Sequence, residues 1–461
     1  MMTPSNSRSV VPSLFRTRPA TRAEIIRHQN ARLRVLLQHA YEKVPYYRHL
    51  FDRHGIKPQD VRGLEDLHAI PMTSKKDLRS HAADQVIACD VDHTSLVSFT
   101  TSGSSGDPFT IRRTLQEDRD LTAHRFHVMR SRGLRITDKE ASVRIVRPVR
   151  IPLTVRGLRR LGVFRLEWID CRLPIGEILH ALHQYRPDVL TGYPGVLSRL
   201  ADAMDDPHRR AVRPRFIVTG GEVLTPAMRR RITDAFHAPV FDDYGSFEFN
   251  LLASECSETG ELHVCEDGVI LEVLTDGRPA NPGERGEVVC TNLHAFAVPF
   301  IRYRLGDIVT KGTETCRCGS PYATIRAVQG RMIDYFLLPG NRLIHPYAIG
   351  TLLTGITSSW IGQFQVTQEL QNRLIIHIVP SGTPSRQQIE ALQSSLNKLL
   401  GSEVECRIDL VPHIQFEVSG KFRVHRSFLY SAYDGMEWES AGGNIDPLNR
   451  SQRDTELPIT S

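Results

Sequence analysis

Between Ser95 and Asp242 short apolar runs alternate with amphipathic stretches, a rhythm that few folds accept. SVRIVR (142–147), FRLEW (164–168), DVLTG (188–192), FIVTG (216–220) and PVFDD (239–243) read as strands. Between them lie the helical spacings Ile175/Ile178/Leu179/Leu182 and Val196/Leu197/Leu200/Met204. Thr225-Pro226 is a further helix start, a cap residue followed by a proline at the first helical position. The alternation predicts an α/β fold, mostly parallel sheet with helices on both faces. Upstream, Thr21-x-x-Glu24 forms a capping box ahead of a helix carrying Ile25, Leu33, Leu36, Leu37 and Tyr41. A second start, Ser74-x-x-Asp77, follows the turn at Pro71.

After Gly245 the pattern changes. VILEVLT and GEVVCTN, set between Gly/Asp/Pro turns, predict a small β-rich subdomain over about 255–330. From about Asn341 a β-β-α-β order follows: FQVTQEL, a turn at Gln371-Asn372, RLIIHIV, a helix over 384–400 ending at Gly401, and VECRIDLV. This is a compact α+β lid. Residues 432–461 are polar and poor in large aliphatics, the composition of a disordered tail. The expected division is a flexible arm (1–20), a large domain (21–332), a lid (333–431) and the tail.

The sharpest local signal is SFTTSGSSGDPFTIRRT (98–114). A presumed strand, Ser95–Phe99, runs into Thr101-Ser102-Gly103-Ser104-Ser105-Gly106, with Pro108 fixing the exit. Two glycines allow successive N–H groups to converge and the hydroxyls add donors, which suits a polyphosphate. No Gly-Lys-Ser/Thr follows, so it is not a Walker loop. A flexible Ser/Gly linker is the plain alternative.

TSGSSGDP resembles the phosphate loop of the adenylate-forming superfamily, which includes acyl-CoA ligases, peptide-synthetase adenylation domains and luciferases. Five further segments resemble that superfamily's motifs in order: IVTGGEVL (217–224), DDYGSFE (242–248), YRLGD (303–307), GRMID (330–334) and SGKFR (419–423). LLQHAYEKVPYYRHLFDRHGI, IPMTSKKDLR and LTGYPGVLSRLAD are similar to phenylacetate–CoA ligases and their capsule-biosynthesis relatives, and the resemblance covers about residues 25–430.

The resemblance implies an AMP-forming ligase that activates a carboxylic acid, aromatic or arylacetic, with ATP and then passes the acyl group to CoA. It implies phosphate contacts from Thr101, Ser102, Gly103, Ser104, Ser105 and Gly106. Gly221 and Glu222 would edge the adenine, with Tyr244 packed on it and Asp242 or Asp243 at its rim. Gly245 and Ser246 would face the α-phosphate, Glu248 would hold Mg²⁺, Asp307 would accept the ribose hydroxyls, and Arg331 would complete the nucleotide site. Lys421 would bridge carboxylate and α-phosphate as the lid closes, while Arg423 and Arg426 could meet phosphates of a second substrate. Tyr193 would line the acyl pocket or serve as a packed structural residue. Two departures stand out. Ile333 occupies a hinge position that is usually polar, although Asp334 is kept, and LLPGNRLIHP is nearer the capsule-type relatives. These leave an amine, sugar or carrier protein open as acceptor in place of CoA, in polysaccharide or natural-product assembly. Phe109 also stands where a Lys commonly follows the loop's proline. A catalytically silent nucleotide-binding protein is a third reading, against which Glu248, Asp307 and Lys421 argue.

Cys316-x-Cys318 alone is shorter than the usual zinc-knuckle spacing, and buried inert thiols are the plain alternative. ECSETGELH (255–263) and CRCGSP (316–321) nevertheless resemble paired segments of the phenylacetate-ligase branch that can hold a structural zinc. The implied ligands are Cys256, His263, Cys316 and Cys318, with Cys265 as the competing one.

Composition excludes other classes. The 461 residues carry a net charge of +6, nearly all of the excess being Arg, too small and dispersed to imply nucleic acid. Eight Cys are far too few for a disulfide scaffold and predict a reducing cytoplasm. No run provides the ~20 apolar residues of a membrane span. The Ser/Arg-rich start, free of acids before Glu24, reads as a floppy basic arm, with a transit peptide as the rival. The expected partners are a small carboxylic acid, ATP and an acyl acceptor, and a homodimer is compatible with them.

Overall fold

Alternate residues of the central strands face two different cores, and that alternation builds the molecule. Leu190 and Ile217 point into a cluster with Leu182, Leu197, Leu200, Ile232 and Phe236. Their neighbours Val189, Phe216 and Val218 point the other way, onto Met129 and Phe126. A strand with period-two side chains, apolar on both faces, needs helices on both sides. Ile175–Tyr185, Pro194–Ala203 and Pro226–Phe236 cover one face and Leu115–Ser131 the other. The computed structural model describes residues 19–100, 110–145, 153–331, 336–339, 342–344, 349–350, 352–353, 360–414 and 424–427.

Five parallel strands lie side by side in the order Arg165–Asp170, Lys139–Arg144, Val189–Gly192, Phe216–Gly220 and Val240–Tyr244. The expected β-rich segment is not a separate sheet. Tyr244 pairs antiparallel with Ala253, and the same sheet continues through Ala253–Glu255, Leu262–Val264, Thr324–Arg331, Tyr303–Lys311, Arg285–Asn292 and Val269–Thr275 to Arg278–Pro279, twelve strands in all. The early strands are also displaced from the sequence reading. Phe164 adopts a left-handed conformation (φ 53°), so its strand begins at Arg165, and the preceding strand begins at Lys139.

The N-terminal helices Arg22–Lys43 and Pro45–Arg53 seat Leu33, Leu36, Leu37, Tyr47 and Phe51 against Val273, Val288, Cys290, Phe300 and Tyr303 of the antiparallel half. The first opens on the expected capping box, with the Thr21 hydroxyl accepting the Glu24 N–H. The Ser/Gly loop joins two paired strands, Val97–Thr100 and Thr110–Arg113, with Thr100 opposite Thr110. The predicted strand thus starts two residues late, and a hairpin partner precedes the next helix. Residues 101–109 themselves lie outside the described residues.

The C-terminal unit carries its own four-stranded sheet, ordered Glu405–Leu410, Arg373–Pro380, Ile361–Leu370 and His425–Ser427, and the helix Arg386–Leu400. Ser385 caps that helix and Gly401 ends it, as the sequence predicts. The strand His425–Ser427, parallel to Ile361–Leu370, extends the expected β-β-α-β order. This unit packs on the helix Pro226–Phe236 through Met228, which joins the core of Phe364, Ile376 and Leu396. Among the described residues no helix is long and apolar enough to cross a membrane.

Arg302 ties the N-terminal segment to the sheet. Its guanidinium donates to the carbonyls of His68 and Ile70 at 3.0 and 2.7 Å and to both Glu272 oxygens at 3.1 and 2.9 Å. Removing Glu272 alone strands a buried cation, which typically costs about 3–5 kcal/mol. Glu272→Ala should therefore lower the thermal midpoint markedly. Glu272→Leu combined with Arg302→Met should lose less than the two single changes added together, and calorimetry of the four proteins checks this.

Candidate functional site

The predicted site residues gather where the parallel strands end and the sheet turns antiparallel. In open α/β sheets ligands bind at the carboxyl ends of the strands, and this edge brings Tyr193, Gly221, Glu222 and Asp242 to Ser246 together. Glycine is required at three of these positions. A Cβ at Gly220 would sit 2.6 Å from the Asp243 carbonyl oxygen, and one at Gly245 would sit 2.0 Å from that of Asn250. Gly221 has φ +81°, with the Tyr193 ring against it. Glu222 accepts the Gly195 N–H at 3.0 Å, at the start of the helix that follows Tyr193.

Tyr244 and Asp307, sixty-three residues apart, meet at the centre: the Tyr244 hydroxyl donates to Asp307 Oδ2 at 2.6 Å, both residues being buried. The hydroxyl fixes the orientation of the carboxylate at the centre of the site. Asp307 stands opposite Arg331 in the strand register. Four residues on, Glu248 receives the Tyr303 hydroxyl at 3.3 Å, and its backbone carbonyl takes the Asn292 amide at 2.8 Å. A small pocket beside it is lined by Arg113, Glu117, Glu248, Asn292, His294 and Phe300. The Ser246 hydroxyl oxygen is buried and lacks a hydrogen-bond partner among the described residues.

The two aspartates before Tyr244 differ. Asp243 forms an ion pair with Arg132 at 2.8 Å, and Arg132 also lies over the Phe241 ring. Asp242 accepts the Thr219 hydroxyl at 2.8 Å, while its own N–H donates to Glu255 at 2.6 Å. Burial pushes the Asp242 carboxyl up to about 7; the Thr219 hydrogen bond opposes this, and the Asp243 and Glu255 carboxylates add to it.

A second cluster lies beside the strands Ala253–Glu255 and Leu262–Val264, where the antiparallel half begins. One ligand atom each from Cys256, His263, Cys316 and Cys318 lies within 4.8 Å of all the others. Cys256 Sγ is 4.0 Å from Cys316 Sγ, and Cys318 Sγ is 3.4 Å from His263 Nε2. Sulfurs bound at about 2.3 Å around one tetrahedral zinc stand about 3.8 Å apart, so the donor set fits that ion. A turn at Gly260 bends the chain between Cys256 and His263, and one at Gly319, also with positive φ, follows Cys318. Burial pushes the Cys318 thiol up to about 12, whereas hydrogen bonds from Thr259 and Glu258 outweigh burial at Cys256 and hold it below its ordinary value. Cys265 is not in the cluster; it is buried with Val128 and Leu251.

Thr101, Ser102, Gly103, Ser104, Ser105, Gly106 and Lys421 lie outside the described residues. The partners that hold the predicted side chains in place, Asn292, Tyr303, Thr219, Glu255 and Arg132, were assigned no role from the sequence. Thr219, Glu255 and Tyr303 stand inside the quoted motifs without a role of their own, whereas no motif marks Asn292 and Arg132, which meet their targets only through the fold.

The C-terminal residues 337–427 match the family model described as the CapK C-terminal domain. Over 342 residues the chain is 28% identical to a phenylacetate-coenzyme A ligase of Thermus thermophilus, covering 71% of this chain and 75% of that protein. It is 21% identical over 403 residues to Protein CapK of Staphylococcus aureus, covering 86% and 87%. A solved structure of 2-hydroxyisobutyryl-CoA ligase, in the postadenylation state with R3-HIB-AMP, shares the fold at TM-score 0.71 and 22% identity, covering 94% of this chain and 96% of that one.

The Asp242 carboxyl gives this site a pH signature. Folded, it holds its proton up to about 7, against an ordinary value of 3.8, so the stability it contributes is full below that ordinary value and is lost as pH rises toward 7. Asp242→Asn should flatten the fall in melting temperature across this window. Melting curves at half-unit pH steps for both proteins measure it, and parallel curves would contradict it.

Proposed function

We propose that this chain, a member of the adenylate-forming superfamily on the branch of the phenylacetate–CoA ligases and CapK, is an AMP-forming ligase acting on a carboxylic acid. A carboxylate oxygen of the acid attacks the α-phosphorus of ATP, the bond to the bridging oxygen breaks, and pyrophosphate leaves. The thiol of CoA, giving up its proton, then attacks the acyl carbon and AMP departs. The observation that carries the reading is the buried Tyr244–Asp307 pair, set beside Glu248 at the end of the parallel strands.

Each role follows from local chemistry. Asp307, a carboxylate oriented by the Tyr244 hydroxyl, is an acceptor suited to ribose hydroxyls. Tyr244, held by that bond, offers its ring to adenine, with Gly221, Glu222, Asp242 and Asp243 at the rim and Arg331 opposite Asp307. The Ser246 hydroxyl, without a hydrogen-bond partner among the described residues, supports a phosphate group beside it, and Gly245 before it lets the chain pass close against the Asn250 carbonyl. Glu248, oriented by Tyr303 and by Asn292 through its backbone, is the carboxylate for Mg²⁺, which would neutralise phosphate charge. The loop of Thr101, Ser102, Gly103, Ser104, Ser105 and Gly106 joins the paired strands whose second one ends at Arg113, which hydrogen-bonds the Phe247 carbonyl; this supports its phosphate role. Tyr193 at the acyl side supports an aromatic or arylacetic acid.

We divide the chain into an arm (1–20), a large domain (21–332), a lid (333–431) and a tail (432–461). The separate C-terminal sheet and the match at 337–427 support the boundary. A cytoplasmic location rests on the cysteine usage. Lys421 rides on the lid and bridges carboxylate and α-phosphate. Lys421→Ala should slow acid-dependent pyrophosphate release at least about a hundredfold while ATP still binds. Unchanged turnover would remove that role. The likeness to CapK, which covers more of this chain than the phenylacetate-ligase match, favours a second reading in which an amine, sugar or carrier protein takes the acyl group. Mass spectrometry of the same reactions separates the two: a thioester formed only with CoA supports the first reading, and AMP release indifferent to CoA supports the second.

The Cys256, His263, Cys316 and Cys318 donors support a structural zinc that pins two loops of the antiparallel half. Emission spectroscopy should find about one zinc per chain. Chelation, or Cys318→Ser, should lower the melting temperature, whereas metal-free protein with an unchanged melting point would refute the site.

A further inference from the structure

Arg125, Arg132 and Arg144 lie around the carboxylates of Asp243 and Glu140, and among the described residues only the first two are paired with one. Arg125 donates to Glu140 at 2.7 Å, and Arg132 pairs with Asp243 at 2.8 Å. Arg144, the last residue of its strand, makes neither a side-chain hydrogen bond nor an ion pair among the described residues; its guanidinium lies 5.2 Å from the centre of the Tyr193 ring. Burial pulls it below its ordinary value, and of the charges facing it, Arg125 opposes it while Asp243 and Glu140 favour it. Those two carboxylates already serve the other arginines. Glu222, on the same edge, is engaged by the Gly195 N–H. A desolvated fork of donors over an aromatic face is suited to a planar anion.

Its position states which anion. The strand Lys139–Arg144 is three places from Val240–Tyr244 in the sheet order, about 14 Å at normal strand spacing. The carboxylate to be activated must meet the α-phosphate at the Tyr244–Glu248 end, so the group meeting Arg144 is a different one, at the far end of the acyl chain. Allowing for the reach of an arginine, the two groups are separated by roughly a benzene ring or a four-carbon chain.

We propose that Arg144, stacked on Tyr193, selects acids bearing a second carboxylate at the end remote from the one that is adenylated. This rests on the ligase reading above and names its substrate class. The guanidinium pairs with the distal carboxylate, and Tyr193 supports the fork from below. Nothing is transferred at that end of the molecule, so Arg144 is a specificity-determining residue.

The test compares acids that differ only in the distal group, 4-carboxyphenylacetate against phenylacetate and adipate against hexanoate, by kcat/KM for pyrophosphate release. In the wild type the diacid should lead by at least tenfold in one or both series. Arg144→Met should cut the diacid-to-monoacid ratio at least tenfold, and Arg144→Lys, which keeps the charge but loses the fork, should fall between. Wild-type preference for the monoacid in both series overturns the proposal without any variant. A ratio unmoved in a folded Arg144→Met protein, verified by its melting curve, also overturns it. Pyrophosphate release with none of the four acids would sink the ligase reading and this one with it, an outcome distinct from release that ignores the distal charge.

Discussion

The hydrogen bond from Tyr244 to Asp307 joins the two halves of one sheet at the point where its strands change direction. Tyr244 ends the last parallel strand, and Asp307 lies in the middle of an antiparallel one. Such a bond forms only if the sheet is continuous between them, which the short strands Ala253–Glu255 and Leu262–Val264 ensure. Acidic, aromatic and glycine residues from both halves therefore meet at that junction. The same strands end near the four-residue Cys/His cluster, so anything that pins the loops there also holds the Asp307 side of the junction in register.

Charge is distributed across the site by pairing more than by solvation. Asp243 with Arg132, Glu140 with Arg125 and Glu272 with Arg302 are matched one to one. A matched pair withdrawn from water is fixed in place, because separating its members costs several kcal/mol. What remains without a partner among the described residues then carries information: the Ser246 hydroxyl and Arg144. Pairing creates a rigid background against which a few unpaired groups can recognise a ligand.

Local elements were legible in the sequence because local rules govern them. The capping boxes at Thr21 and Ser74, the Thr225-Pro226 helix start and the Gly401 stop all appear at the expected residues. The strand FIVTG keeps its expected bounds because its five residues are all buried and a glycine closes it. The reading erred where long-range pairing decides. The antiparallel segment looked like its own subdomain because nothing local reveals that Tyr244 and Ala253 pair. The strand at 164 was placed a residue early because the left-handed turn at Phe164 leaves no mark in the sequence. The site residues themselves were legible as ordered motifs, whereas Tyr303, Asn292 and Arg132, which hold them, meet their targets only in three dimensions.

Among the described residues, few contacts join the two units. Ile414 and Val424, which flank residues 415–423, are both buried in the core of the small unit. The crossing between units is short: Arg331 ends a strand of the large sheet and Phe336 is buried in the small core. Among the described residues, Met228 of the helix Pro226–Phe236 and Leu224 just before it pack on the core of the small unit, with a long 3.5 Å hydrogen bond from Arg231 to the Gly362 carbonyl. Burying one methionine contributes about 1.5–3 kcal/mol, and a weak hydrogen bond adds less than about 1. Contacts of that size bind the two units to each other more weakly than either unit's own core binds its elements, so the twelve-stranded sheet does not depend on the small unit for its packing.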